Sequence, residues 1–179
     1  MHHLSKEIKE LLNKKSSTDF LQAARLFVAL LENFEISKEI FYKKAHKTLS
    51  QLYFTGLALE SFEKKFLKPT IELNKMVSDI DVEQNTNLIS MLGNDCYYWE
   101  VFNPSFKENE GKPIRASLID DFGDIYSDLK KELIKIDQIG TDEAIENAFW
   151  QLKFGFNQHW GNHCIDAIRA LHYLLYDGK

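Results

Sequence analysis

The residues best equipped for chemistry stand in two stretches of the second half of the chain. His159 and His163 are four residues apart, and Asp166 follows three later. On a helix, such a pair shares one face. Two imidazoles so placed can ligate one metal ion, and an aspartate one turn further on can supply an oxygen or orient a ring. The second stretch carries Asp121, Asp124 and Asp128, which run down one shoulder of an apolar helical stripe, whereas Asp120 faces water. Where the two shoulders meet, Asp121, Asp124, Asp128, His159, His163 and Asp166 form one candidate polar cluster. His159, His163, Asp124 and Asp128 are the ligand set if it holds a divalent metal. The same groups can also satisfy one another. Unpartnered burial of a carboxylate costs several kcal/mol, and hydrogen bonds or ion pairs to His159, His163 or Arg169 remove that cost without a metal. The expectation is a chiefly structural network with no cofactor, a divalent metal being the alternative.

Aromatic residues give a second candidate, a ligand pocket lined by Tyr98, Trp99, Trp150 and Trp160, although rings at helical spacing ordinarily belong to a core. No glycine-rich phosphate loop, GxSxG elbow or HExxH pair occurs, so the commonest nucleotide, esterase and metalloprotease signatures are absent.

The elements that must position these residues read as helices. Only Pro69, Pro104 and Pro113 interrupt the chain, and between them apolar residues recur at helical spacing. The pattern predicts a short charged helix over 4–14. A second follows, capped within Ser16-Ser17-Thr18, with Phe20, Ala24, Phe27, Leu31 and Phe34 on one face. Ser37 caps a third, lined by Tyr42, Ala45, Leu49 and Leu52 and packed antiparallel to the second. The segment 57–81 has no firm period. A fourth helix is predicted over 85–102, stopped by Asn103-Pro104, then a solvated loop over 105–113. A fifth helix runs from Ser117 to about Ile136. After Gly140-Thr141, one long last helix continues to Tyr176 with His163 buried at the centre of its stripe and Trp160 on a shoulder. The fold expected is a single all-α domain over 1–179, a compact antiparallel bundle of about five to seven helices.

With 179 residues, 44% of them hydrophobic, the chain can bury roughly 70% of its unfolded surface, so folding requires neither disulfide nor metal. Cys96 and Cys164 lack metal-ligand spacing and read as reduced, buried thiols, consistent with a cytoplasmic location. The charged amino terminus has no apolar core of signal-peptide length, so secretion is not expected, and the longest apolar run, Leu26 to Leu31, is too short to cross a membrane. The net charge of -5 and the scattered lysines give no stripe for nucleic acid; Lys43, Lys44 and Lys47 are the densest basic group.

Three stretches together carry a family likeness: WQLKFGFNQHWGNHCIDAIRALH from Trp150 to His172, YWEVFNP from Tyr98 to Pro104, and SLIDDFGDIYSDL from Ser117 to Leu129. With its HWGxH and DIYxDL elements, the chain resembles the bacterial DUF5063 family over most of its length. That resemblance implies a compact helical bacterial protein and brings no assigned activity. Asp121, Asp124, Asp128, His159, Trp160, His163 and Asp166 coincide with its characteristic residues. The functions expected are a non-enzymatic helical module that engages a protein partner or, alternatively, a metal-dependent hydrolase built on the His/Asp cluster.

Overall fold

The computed structural model describes residues 4–32, 35–61, 70, 73, 75, 87–101 and 111–177. Helix α1 spans Lys6–Asn13, with the Ser5 hydroxyl accepting from the Ile8 amide, as an N-cap should. Helix α2, Lys15–Glu32, starts one residue after the α1 cap, so Ser16, Ser17 and Thr18 lie within its first turn and do not precede it. The Lys14 carbonyl accepts from the Thr18 amide, the first bond of the helix. Helix α3, Lys38–Ala58, is capped by Ser37 and packs on α2 as its inner face requires. Phe34 lies outside the described residues, as does most of 57–81.

The fourth predicted helix is corrected by the structure. Only Asn87–Leu92 is α-helical (α4); a short 3-10 turn, Gly93–Cys96, follows, and Tyr97–Glu100 is a strand, β1. Gly93 sits at φ 57°, where the helix ends at little cost only because the residue has no Cβ. The following Tyr-Tyr-Trp run suits an extended backbone. It pairs antiparallel with β2, Ile114–Ser117, in the register Tyr97 to Ser117 and Glu100 to Ile114. Side chains alternate along β1, so Tyr98 and Glu100 share one face and Tyr97 and Trp99 the other. Residues 102–110, with the stop at Asn103-Pro104 and most of the expected loop, lie outside the described residues.

Helix α5, Leu118–Ile134, is capped by Ser117 and passes through a π-helical turn, Lys135–Ile139, to Gly140 at φ 62°. Helix α6, Asp142–Gln158, starts from Thr141, whose hydroxyl accepts from the Ala144 amide. The predicted continuous last helix is broken. His159 leaves helical geometry at φ -143° and ψ -89°, and α7 spans Trp160–His172. Trp160 is the cause. It is fully buried, donates its indole N–H to the Leu152 carbonyl at 3.1 Å, and packs 5.0 Å from Phe156 and 5.8 Å from Phe20, ring centre to ring centre. Seating that ring turns α7, so the inward line becomes Trp160, Cys164, Ala167 and Leu171. His163 moves to the shoulder, with 23% of its side chain exposed, and Trp160 takes the centre, the reverse of the sequence expectation.

The core joins α2, α3, α5, α6 and α7 through Phe20, Phe27, Phe41, Phe122, Phe149 and Trp160. The fold is helical, with one small two-stranded sheet among the described residues. No described helix is long and apolar enough to cross a membrane.

The break depends on a glycine. A Cβ on Gly161 would stand 2.1 Å from the Phe156 carbonyl oxygen, a backbone atom held by α6, whereas a Cβ on Gly123 in α5 would meet nothing within 4 Å. Gly161→Ala should therefore destabilise the fold by about 1–3 kcal/mol or more, and Gly123→Ala should be neutral or stabilise by up to about 1 kcal/mol. Urea unfolding of both variants checks this; equal midpoints would refute the account of the break.

Candidate functional site

Helix α5 packs along α7. Asp121, Asp124 and Asp128 sit at positions i, i+3 and i+7 and so form one line down α5. His159, at the break, and His163, one turn into α7, face that line with their rings 4.9 Å apart and nearly perpendicular, at 80°. The contacts divide by nitrogen. His159 Nδ1 lies 2.8 Å from Asp128 Oδ2, and His163 Nδ1 lies 2.8 Å from Asp121 Oδ1. On the other side of the rings, Asp124 Oδ2 is 3.3 Å from His163 Nε2 and 3.8 Å from His159 Nε2.

A carboxylate accepts only, so each Nδ1 carries the donated proton, and a ring that holds no second proton directs its lone pair out of Nε2. Three acceptor atoms, two imidazole nitrogens and one carboxylate oxygen, then face one another. One donor atom from each of Asp124, His159 and His163 lies within 4.8 Å of the others. Nitrogen and oxygen ligands about 2.1 Å from a tetrahedral ion stand about 3.4 Å apart, close to the two separations measured here. Around such an ion, Asp128 and Asp121 would be the outer partners that orient the two histidines.

Strand β1 completes the inner side. The Tyr98 hydroxyl donates to Asp121 Oδ2 at 2.6 Å and stands 3.3 Å from Glu100 Oε2. Asp121 is thus engaged at both oxygens, by a phenol and an imidazole. Burial raises its pKa above the ordinary carboxyl value, opposed by the bonds from His163 and Tyr98. The hydrogen bond to Asp121 raises His163 above its ordinary value, against the effect of burial. Tyr98 is pushed far up by burial and by Asp121. Asp166 rises to about 6, first through burial and then through the charges of Glu100 and Asp121.

Of the sequence candidates, Asp121, Asp124, Asp128, His159 and His163 come together in one set of contacts. Asp166 lies beside them and interacts through charge. Arg169, the expected cationic partner, forms no ion pair with them. The four aromatic residues do not make one pocket. Tyr98 and Trp99 both border one cavity against α7, but Trp160 is core, and Trp150 stacks on Phe154 with ring centres 4.9 Å apart. Glu100 was missed because the sequence pattern placed it in a helix. The aromatic run after Gly93 is the local signal that would have put it on a strand with Tyr98.

Comparison with known proteins agrees with this architecture. No curated protein matches the chain. The crystal structure of protein BF1032 from Bacteroides fragilis is similar in fold, with a TM-score of 0.73 and 23% identity, over 94% of this chain and 98% of that one. The model of the domain of unknown function DUF5063 matches residues 12–177, nearly the whole chain, and the protein belongs to that family.

Proposed function

We propose that Asp124, His159 and His163 hold a divalent metal ion and that the protein is a metal-dependent hydrolase. One observation carries the reading: the two Nε2 atoms and Asp124 Oδ2 converge while both Nδ1 atoms are held at 2.8 Å by separate carboxylates. A purely structural network would need only the Nδ1 contacts. With both rings neutral it would leave three lone-pair donors facing one another, an arrangement that a cation stabilises, whereas a second proton on His163 would be donated from Nε2 to Asp124 Oδ2.

The ligand set also suits catalysis better than a closed structural site. Three protein ligands leave coordination positions for water, and His159 and Asp124, about half exposed, border solvent. When bound, the ion would bring the acidity of a coordinated water towards neutrality and so supply a hydroxide nucleophile. The chain's own residues position and tune: Asp121 and Asp128 fix the tautomer and ring angle of the two histidines, and Tyr98 holds Asp121 in place. The expected protein-partner role has no comparable local observation behind it.

Zinc or manganese at about 100 times its dissociation constant should add about 2.7 kcal/mol, and chelator should remove it. At this chain length that corresponds to a rise in melting temperature of roughly 5–10 °C. Asp124→Asn and His163→Ala should show no such rise. Metal-independent melting of the native protein would sink the proposal, and so would stoichiometric metal without hydrolysis of any phosphate or carboxyl ester sink its hydrolase half.

Asp121→Asn supplies a finer check, because it spares all three ligands and removes only the carboxylate behind His163. Metal affinity should fall by about 10–100-fold. Calorimetric titration that gave unchanged affinity would assign Asp121 to folding alone.

Asp166 yields a pH dependence that needs no metal. Its folded value of about 6 lies above the ordinary 3.8, so the unfolded chain releases this proton first. Stability must then fall as pH rises between those two values and level off above them. In chelator, Asp166→Asn should lack this fall relative to the native chain; superimposable stability curves from pH 4 to 7 would contradict the half-buried, acid-flanked setting of Asp166.

A further inference from the structure

A cavity of about 350 Å³ opens between β1 and the second half of α7, with Tyr97, Tyr98, Trp99, Arg169, Ala170 and Tyr173 in its wall. That volume lies at the lower end of small-molecule sites. Three of its rings are left in water: Tyr97 is 55% exposed, Tyr173 59% and Trp99 69%. Such rings are large apolar surfaces that folding ordinarily covers, and their flat faces are the usual platform for another ring.

The distribution of arginine supplies the second half of the argument. The chain has three, at 25, 115 and 169, among 22 basic residues set against 27 acidic ones. Arg25 is paired with Asp137 at 2.7 Å. The other two flank this cavity. Arg169 lines it, and the Arg115 guanidinium lies over the Tyr97 ring, 4.7 Å from its centre. Neither forms an ion pair among the described residues, although acids outnumber bases; Arg169 feels Asp166 only through its field. Asp95, the carboxylate in the cavity wall, is already neutralised by Lys38 at 2.7 Å. Two open guanidinium forks beside exposed rings match the geometry of a bidentate oxyanion attached to a flat ring.

We propose that this cavity binds a small molecule joining a flat aromatic ring to a carboxylate or phosphate, with the ring against Trp99 and Tyr173 and the oxyanion on Arg169 and Arg115. The site shares Tyr98 with the metal centre but none of its proposed ligands, so it stands without the metal reading.

The test is a nitrogen-15 NMR titration of the full chain in chelator, following the indole N–H signals, with indole-3-acetate, phenyl phosphate and the neutral indole-3-acetamide as probes. At least one anion should bind with a dissociation constant below about 1 mM and shift Trp99, while the amide binds about tenfold more weakly. The tighter of the two anions identifies the carboxylate or the phosphate as the group recognised. Arg169→Gln should bring the acid down to the level of the amide, and Trp99→Ala should abolish binding of all three. Phe154→Ala, at the exposed stack on α6, should change nothing. The substituted side chains are all exposed, which keeps the fold intact. Equal binding of acid and amide, a shift confined to Trp150, or no shift with any probe would overturn the proposal.

Discussion

The seat of Trp160 is the constraint from which the candidate site follows. Its ring fills the space between α2, α3 and α6, with Gly56 and Gly155 small enough to let it lie against their backbones. A Cβ at either position would come within 3.0 Å of the indole. A tryptophan buried this completely must place its N–H, and it does so on the Leu152 carbonyl, eight residues back in the chain. No continuous helix can make that bond while driving the ring inward. The chain therefore leaves helical geometry at His159 and starts again at once, with the Asn162 amide on the His159 carbonyl. One residue of irregular backbone sets the ring of His159 against that of His163 and turns both towards α5.

Helix α5 answers with three carboxylates on one line, a repulsive arrangement unless something positive or proton-donating intervenes. The protein meets that need with donors from two directions, imidazoles from α7 and a phenol from β1. The two-stranded sheet is small, yet it brings Tyr98 to Asp121 and leaves Tyr97 and Trp99 facing outward on its other side. A helix over the same residues would have spread these side chains around a cylinder, without the alternation that separates the two faces.

The sequence was legible where a pattern was local and long. The apolar stripes of α2, α3 and α5, the Ser37, Ser117 and Thr141 caps, and the aspartate line on α5 all follow from spacing and residue type. What spacing could not disclose was tertiary in origin. The break at His159 exists because Trp160 gains more from the core than one or two helical hydrogen bonds return, and the 159–172 stretch still reads as uninterrupted helix when projected by itself. The projection therefore put His163 at the centre of the buried stripe and Trp160 at its edge. For 97–100 the error had the opposite source: a weak helical period outweighed the β-preference of three consecutive aromatic residues, whose partner strand lies more than ten residues away.

Within the cluster, partners follow burial. Asp121, 5% exposed, is bonded at both oxygens; Asp128, 38% exposed, is bonded at one; Asp124, 42% exposed, has no protein donor at 2.8 Å and is the carboxylate that both Nε2 atoms approach. Desolvation sets this order, since a buried carboxylate must be matched with donors whereas one at the surface keeps water. Folding alone explains why Asp121 is saturated. The same network leaves Asp124 Oδ2 facing both Nε2 atoms, as the ion-pair partner of a protonated His163 or, in the proposed reading, as a metal ligand beside neutral rings. The proposed metal centre would use this division of labour, with bonded carboxylates behind the histidines and one without a short bond beside them, and the half-exposed rim would give an ion and its water a way in.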